Sequence, residues 1–153
     1  MNRKDFLRLG CLLCMGIMAG ATLLESCAPV HYTTGTLQQD GILVDKKEWE
    51  QTNGKRNYII IRHDDLQFPI CVYHLGDGRY SAVWMSCSHQ GAELQVAGDQ
   101  LTCPAHGSEF DQHGNATQGP ATTPLRTFPV TVADNGLFID LRVPQNTNTR
   151  ATN

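Results

Sequence analysis

The chain has no excess of positive charge: 12 Lys+Arg against 15 Asp+Glu give a formal net charge of −3. Nucleic-acid binding needs a basic patch or stripe, so that class of function is excluded. Nor is there an apolar run of ~20 residues, the length a membrane-spanning helix requires. Helical periodicity is scarce after residue 40, and no haem-attachment motif or flavin fingerprint is present. The six cysteines do not form a disulfide framework. Cys11, Cys14 and Cys27 lie in or next to an N-terminal apolar segment, leaving Cys71, Cys87 and Cys103 in the body. At 153 residues there is room for one ordinary domain.

The N-terminus reads as an address. Arg3 and Lys4 precede Leu9–Leu24, which carries no charge and is short for a membrane span. Residues 1–27 are therefore expected to be an export signal. Arg3-Lys4-Asp5-Phe6-Leu7 resembles a twin-arginine signal with lysine as its second basic residue. Leu23-Leu24-Glu25-Ser26-Cys27 resembles a bacterial lipobox, which makes Cys27 a candidate for lipidation. The expected location is the periplasmic face of a membrane, with anchoring by lipid or by the N-terminal segment itself. Residues 28–39 are expected to be a flexible tether, and the polar residues 144–153 a disordered tail.

Between them, residues 40–143 read as an all-β antiparallel sandwich or barrel. Gly41–Val44, Tyr58–Ile61, Phe68–Leu75 and Tyr80–Met85 are strand-like, and Lys46–Gln51 is a turn or brief helix. Gly76-Asp77-Gly78 marks a hairpin. In the strand after it, Tyr80, Ala82 and Trp84 share one face and Ser81, Val83 and Met85 the other. Val96–Leu101 is a second tight hairpin. Arg126–Val132 and Leu137–Val143 form the last, around Asp134-Asn135-Gly136.

The chemistry sits between Cys87 and His106. Cys87-Ser88-His89 is followed, thirteen residues on, by Cys103-Pro104-Ala105-His106. Each segment carries one thiol and one imidazole. A structural zinc module is the competing reading, but zinc sites usually pair cysteine with cysteine and histidine with histidine. The alternation here suits a binuclear iron–sulfur centre, in which one iron takes both cysteines and the other both histidines. Neutral imidazoles in place of two thiolates make the centre less negative, so adding an electron costs less.

These two boxes resemble those of the Rieske [2Fe-2S] family, and Gly119-Pro120-Ala121-Thr122-Thr123-Pro124-Leu125 resembles that family's proline-rich covering loop. The resemblance runs from about residue 40 to 143. It implies an antiparallel β domain with a cluster-binding loop subdomain at one tip. Cys87 and Cys103 would hold a buried iron, and His89 and His106 an outer, partly exposed one. Ser108 matches the family serine whose hydroxyl donates to a cluster sulfide. Quinol-oxidising members carry a disulfide between the loops; here Ala92 and Ala105 stand at those positions. Phe110 replaces a tyrosine that donates to a cysteine sulfur in high-potential members, and Gln90 a leucine that faces the quinone. The implied reduction potential therefore lies below that of quinol-oxidising members, with Ser108 keeping it above the lowest ferredoxin-like ones.

Other chemistry-bearing residues read as structural. Cys71 is expected to be a buried, inert strand residue, and Trp84 and Met85 to pack beneath the ligand loop. His63 and His113 are turn residues, His31 and His74 carry no motif, and Glu109 is surface charge. The expected function is one-electron transfer between a redox protein donor and an acceptor. The chain would act as a carrier, or as the iron–sulfur subunit of a membrane-associated oxidoreductase, rather than as a stand-alone enzyme. The ferredoxin of a cytoplasmic ring-hydroxylating oxygenase is disfavoured by the export signal.

Overall fold

The computed structural model describes residues 30–50 and 57–142. The expected export segment 1–27 with Cys27 and the tail 144–153 lie outside the described residues. The strands are β1 (Tyr32–Thr33), β2 (Thr36–Leu37), β3 (Gly41–Asp45), β4 (Tyr58–Ile61), β5 (Ile70–Gly76), β6 (Arg79–Trp84), β7 (Gln95–Ala97), β8 (Gln100–Thr102), β9 (Glu109–Phe110), β10 (Ala116–Gln118), β11 (Thr127–Phe128), β12 (Val130–Ala133) and β13 (Gly136–Asp140). A short helix, α1 (Lys46–Glu50), follows β3.

The strands form three sheets. The central one has the order β1-β4-β5-β6-β11. A second, β12-β13-β3-β2, packs on one face, and a third, β10-β9-β8-β7, carries the Cys87 and Cys103 loops on the other. Pairing is antiparallel except for β1 with β4. The central sheet is thus buried on both faces, which accounts for the unbroken run Ile59-Ile60-Ile61: a strand covered on both sides has no polar face to alternate with. Ile59, Ile61, Ile70, Val72 and Ala82 point into one core with Ile42, Val44, Phe128, Leu137 and Ile139. Ile60, Cys71, Tyr73, Val83 and Met85 point into the other, with Cys87, Leu94, Leu101, Cys103, Phe110 and Leu125. Each such aliphatic side chain contributes ~1.5–3 kcal/mol when fully buried.

Three local expectations need correction. Where described, residues 28–39 are not a free tether. Tyr32 and Thr33 pair with Ile60 and Ile61, and Thr36 and Leu37 pair with Leu43 and Ile42, so this arm adds a strand to two sheets. The expected strand Arg126–Val132 is split at Pro129: Thr127 and Phe128 pair with β6, and Val130 onward with β13. Proline supplies no N–H at the change of sheet. Trp84 does not lie beneath the ligand loop. Met85 does, 2% exposed in the core that holds both cysteines. Trp84, one residue earlier, faces the opposite core, edge-on to Phe68 and Phe128 at 6.0 and 5.7 Å.

Candidate metal centre

The two boxes adopt the same backbone form. After β6 the chain makes a single bridge, Ser86 to Glu93, and the intervening loop closes on itself. Cys87 N–H donates to the Ala92 carbonyl at 2.8 Å and Gly91 N–H donates to the Cys87 carbonyl at 2.8 Å. Between β8 and β9, Cys103 N–H donates to the Ser108 carbonyl at 2.8 Å and Gly107 N–H to the Cys103 carbonyl at 2.9 Å. Gly91 and Gly107, each four residues after its cysteine, have φ of 70° and 77°. That is the left-handed region in which a Cβ is penalised. Sequence reasoning passed over these two glycines, although their equal offset from Cys87 and Cys103 was visible.

Within this frame the side chains sort by depth. Cys87 and Cys103 are each 3% exposed. His89 and His106 are exposed and meet edge to face, ring centroids 5.2 Å apart. Burial alone would push the Cys103 thiol up. The backbone N–H of Ala105, the Cys87 side chain and the backbone N–H of His106 outweigh it and hold the thiol below its ordinary value. Donors aimed at sulfur favour negative charge there, which is what a metal-bound thiolate carries.

A single zinc ion wants four donors around it. A thiol pair at depth and an imidazole pair at the surface instead suit two metals, each taking two protein ligands. The donor set therefore fits a [2Fe-2S] cluster.

Ser108 is fully buried, and its Oγ accepts the Ala121 N–H at 3.0 Å, leaving its own proton available to donate. Phe110, also fully buried, belongs to the same core as both cysteines. The 119–125 segment is pinned by the buried side chains of Ala121 and Leu125 and by the Leu125 N–H bond to the Gly114 carbonyl. Two further contacts hold it that sequence gave no sign of. Ser88 Oγ donates to the Thr123 carbonyl at 2.6 Å, and Gln118 Nε2 donates to the Gly107 carbonyl at 3.1 Å. The exposed residues of these three loops, at 87–92, 103–108 and 118–125, include no Asp, Glu, Lys or Arg.

The other residues singled out above lie elsewhere. Cys71 is fully buried in β5, its thiol pushed up to about 12 by burial. His113 is exposed in a turn organised by the Asp111 carboxylate, which accepts the His113 and Asn115 N–H groups. His63 lies 3.4 Å from Asp65, and His31 lies 2.9 Å from Glu48. His74 stacks near Tyr80, and Glu109 is half-buried.

Comparison with known proteins agrees with this geometry. The chain is 28% identical over 88 residues to the cytochrome b6-f complex iron-sulfur subunit 2 of Nostoc sp. PCC 7120. That alignment covers 56% of the chain and 43% of the Nostoc protein, so the chain spans less than half the length of that relative. It is 37% identical over 81 residues to the 3-phenylpropionate/cinnamic acid dioxygenase ferredoxin subunit of Photorhabdus laumondii, covering 50% of the chain and 76% of that subunit. The crystal structure of the plasma membrane Rieske protein PetC3 from Synechocystis PCC 6803 superimposes with a TM-score of 0.54 at 25% identity, covering 65% of the chain and 98% of that protein. The family model described as the Rieske [2Fe-2S] domain matches residues 43–129, from β3 through β11 and across both boxes and the covering loop. By fold, by the paired Cys-x-His and Cys-x-x-His loops and by this match, the chain belongs to the Rieske [2Fe-2S] family.

Proposed function

We propose that this protein carries single electrons, with Cys87 and Cys103 holding the inner iron of the cluster and His89 and His106 the outer. When bound, the cluster supplies reversible one-electron chemistry; the protein residues set its charge, its burial and its point of access. The observation that carries the reading is the sorting by depth: both thiols at 3% exposure, both imidazoles at the surface. The thiols and Phe110 keep water from the inner side, and the imidazole edges offer a partner the shortest approach. Backbone N–H groups at Ala105 and His106 stabilise negative charge at the Cys103 sulfur.

The partners are a redox protein donor and acceptor, met at the loops 87–92, 103–108 and 118–125, whose exposed residues include no Asp, Glu, Lys or Arg. Likeness to cytochrome b6-f subunits supports a second reading, in which the chain is the iron–sulfur subunit of a membrane-associated oxidoreductase. Residues 1–27 support export to the periplasmic face and attachment to the membrane there. The test is purification from membranes and spectroscopy. The expected result is two irons and two acid-labile sulfides per chain, and a reduced-state EPR signal with average g below 2. One zinc per chain with no visible absorbance would overturn the reading.

A further inference from the structure

The contacts on the covering loop give Ser88 a role that its place as a spacer between Cys87 and His89 does not suggest. We propose that Ser88 is a positioning residue: together with Ser108 it turns Ala121–Thr123 into a strap that ties the two ligand loops to each other. The inference rests on the ligand assignment proposed above.

No disulfide joins the loops, since the described cysteines are free and Ala92 and Ala105 carry no sulfur. The connection runs instead through the strap. On one side, Ser88 Oγ donates to the Thr123 carbonyl at 2.6 Å. On the other, the Ala121 N–H donates to Ser108 Oγ at 3.0 Å. The two attachment points lie two residues apart on one short segment, and each serine belongs to a different ligand loop. Ala121 and Leu125, 5% and 4% exposed, stop that segment from sliding. Spreading the ligand loops therefore requires breaking one of two serine contacts or pulling an apolar anchor out of the core.

The two attachments differ in environment. The Ser108 contact is buried, whereas the Ser88 contact is exposed. If Ser88 loses its hydroxyl, water can take up the Thr123 carbonyl, so the fold as a whole loses little. What is lost is the hold of the first box on the strap. A merely stabilising residue would lower the unfolding midpoint and change protection everywhere together; a strap contact changes the cover and leaves the midpoint in place.

The experiment compares wild type, Ser88→Ala and Ser88→Thr as isolated holoprotein. It measures the unfolding midpoint, amide hydrogen exchange across 118–125, and the rate at which visible absorbance is lost to an iron chelator. In Ser88→Ala the midpoint is expected to stay while exchange at the strap and absorbance loss both rise about three- to tenfold, the factor one ordinary net hydrogen bond carries. Ser88→Thr, which keeps the hydroxyl, should restore both rates. Wild-type exchange and retention in Ser88→Ala would overturn the strap, as would failure of Ser88→Thr to rescue, or a loss of protection spread evenly over the chain. Wild-type protein isolated without iron would overturn the ligand assignment instead, and the exchange comparison would still decide on the strap.

Discussion

Gly91 and Gly107 hold equivalent places in two separate loops, each donating its N–H to the carbonyl of the cysteine four residues before it, with φ of 70° and 77°. A Cβ built on either meets nothing within 4 Å. The need for glycine there is conformational and not a matter of room. Alanine at either position should cost about 1–2 kcal/mol of stability by urea unfolding, and asparagine less, because it enters the left-handed region more readily. Alanine tolerated at both without loss would show that these turns do not shape the boxes.

Gly136 is the contrasting case. Read from sequence as the end of a turn, it lies opposite Asp45 in the β13–β3 ladder, where an added Cβ would fall 2.0 Å from the Val44 carbonyl oxygen. Backbone cannot swing aside as a flexible side chain would. Gly136→Ala should lower stability by at least ~3 kcal/mol in denaturant unfolding. Gly41→Ala, with its Cβ 2.1 Å from the Ile139 carbonyl oxygen, should do the same.

Phe110 shares a core with both cysteines and offers no hydrogen-bond donor. Phe110→Tyr should raise the reduction potential by about 60 mV, the one-electron equivalent of a ~1.4 kcal/mol hydrogen bond favouring the reduced state. Protein-film voltammetry measures it, with the unfolding midpoint taken alongside to detect overpacking. An unchanged potential in a well-folded variant would remove the missing donor as a ground for expecting a lower potential in this chain.

The Asp140 carboxyl is held at about 2, first by the Arg142 side-chain hydrogen bonds and then by the Arg142 backbone N–H. Its unfolded value is ~3.9. A depressed carboxylate contributes stability that is fully present above the unfolded value and is lost as pH falls through about 2. Carbon-detected NMR titration should place Asp140 near that value, and Arg142→Gln should move it up toward the ordinary range. A wild-type midpoint near 4 would mean that the ion pair does not form in solution.

Cys71 runs the other way: its thiol is pushed up to about 12, chiefly by burial. The folded protein keeps it protonated while the unfolded chain ionises near ~8.5, so stability is complete below that pH and declines as pH rises toward the folded value. Peptide mapping after iodoacetamide treatment at pH 9 should find Cys71 modified only in denaturant. Rapid native labelling would contradict its place in the core.

Much of the site was legible because ligand chemistry is local: two short boxes and a proline-rich segment announce themselves without knowledge of the fold. Tyr58–Ile61 was likewise plain from β-branching, and the alternation of Ala82 against Val83 in β6 and Met85 just after it matched the two cores. Trp84 was misplaced because it was assigned by nearness in sequence to Cys87, whereas successive strand residues point to opposite faces. The arm at Tyr32–Leu37 escaped notice because two-residue strands have no periodicity; only their partners Ile60, Ile61, Leu43 and Ile42 define them. Ser88 gave no signal for a similar reason, since its acceptor is a backbone carbonyl 35 residues away.

The central sheet is a party wall. Cys71 faces the chamber that holds Cys87 and Cys103, and Val72, its neighbour, faces the other. Neither chamber can melt and leave the other intact, because each would take with it a wall that both need. The half that holds Cys87 and Cys103 is therefore not a separate foldon hinged on a scaffold. Thermal unfolding of the described domain should be a single cooperative event, with the slowest-exchanging amides in β4, β5 and β6, the strands both cores share.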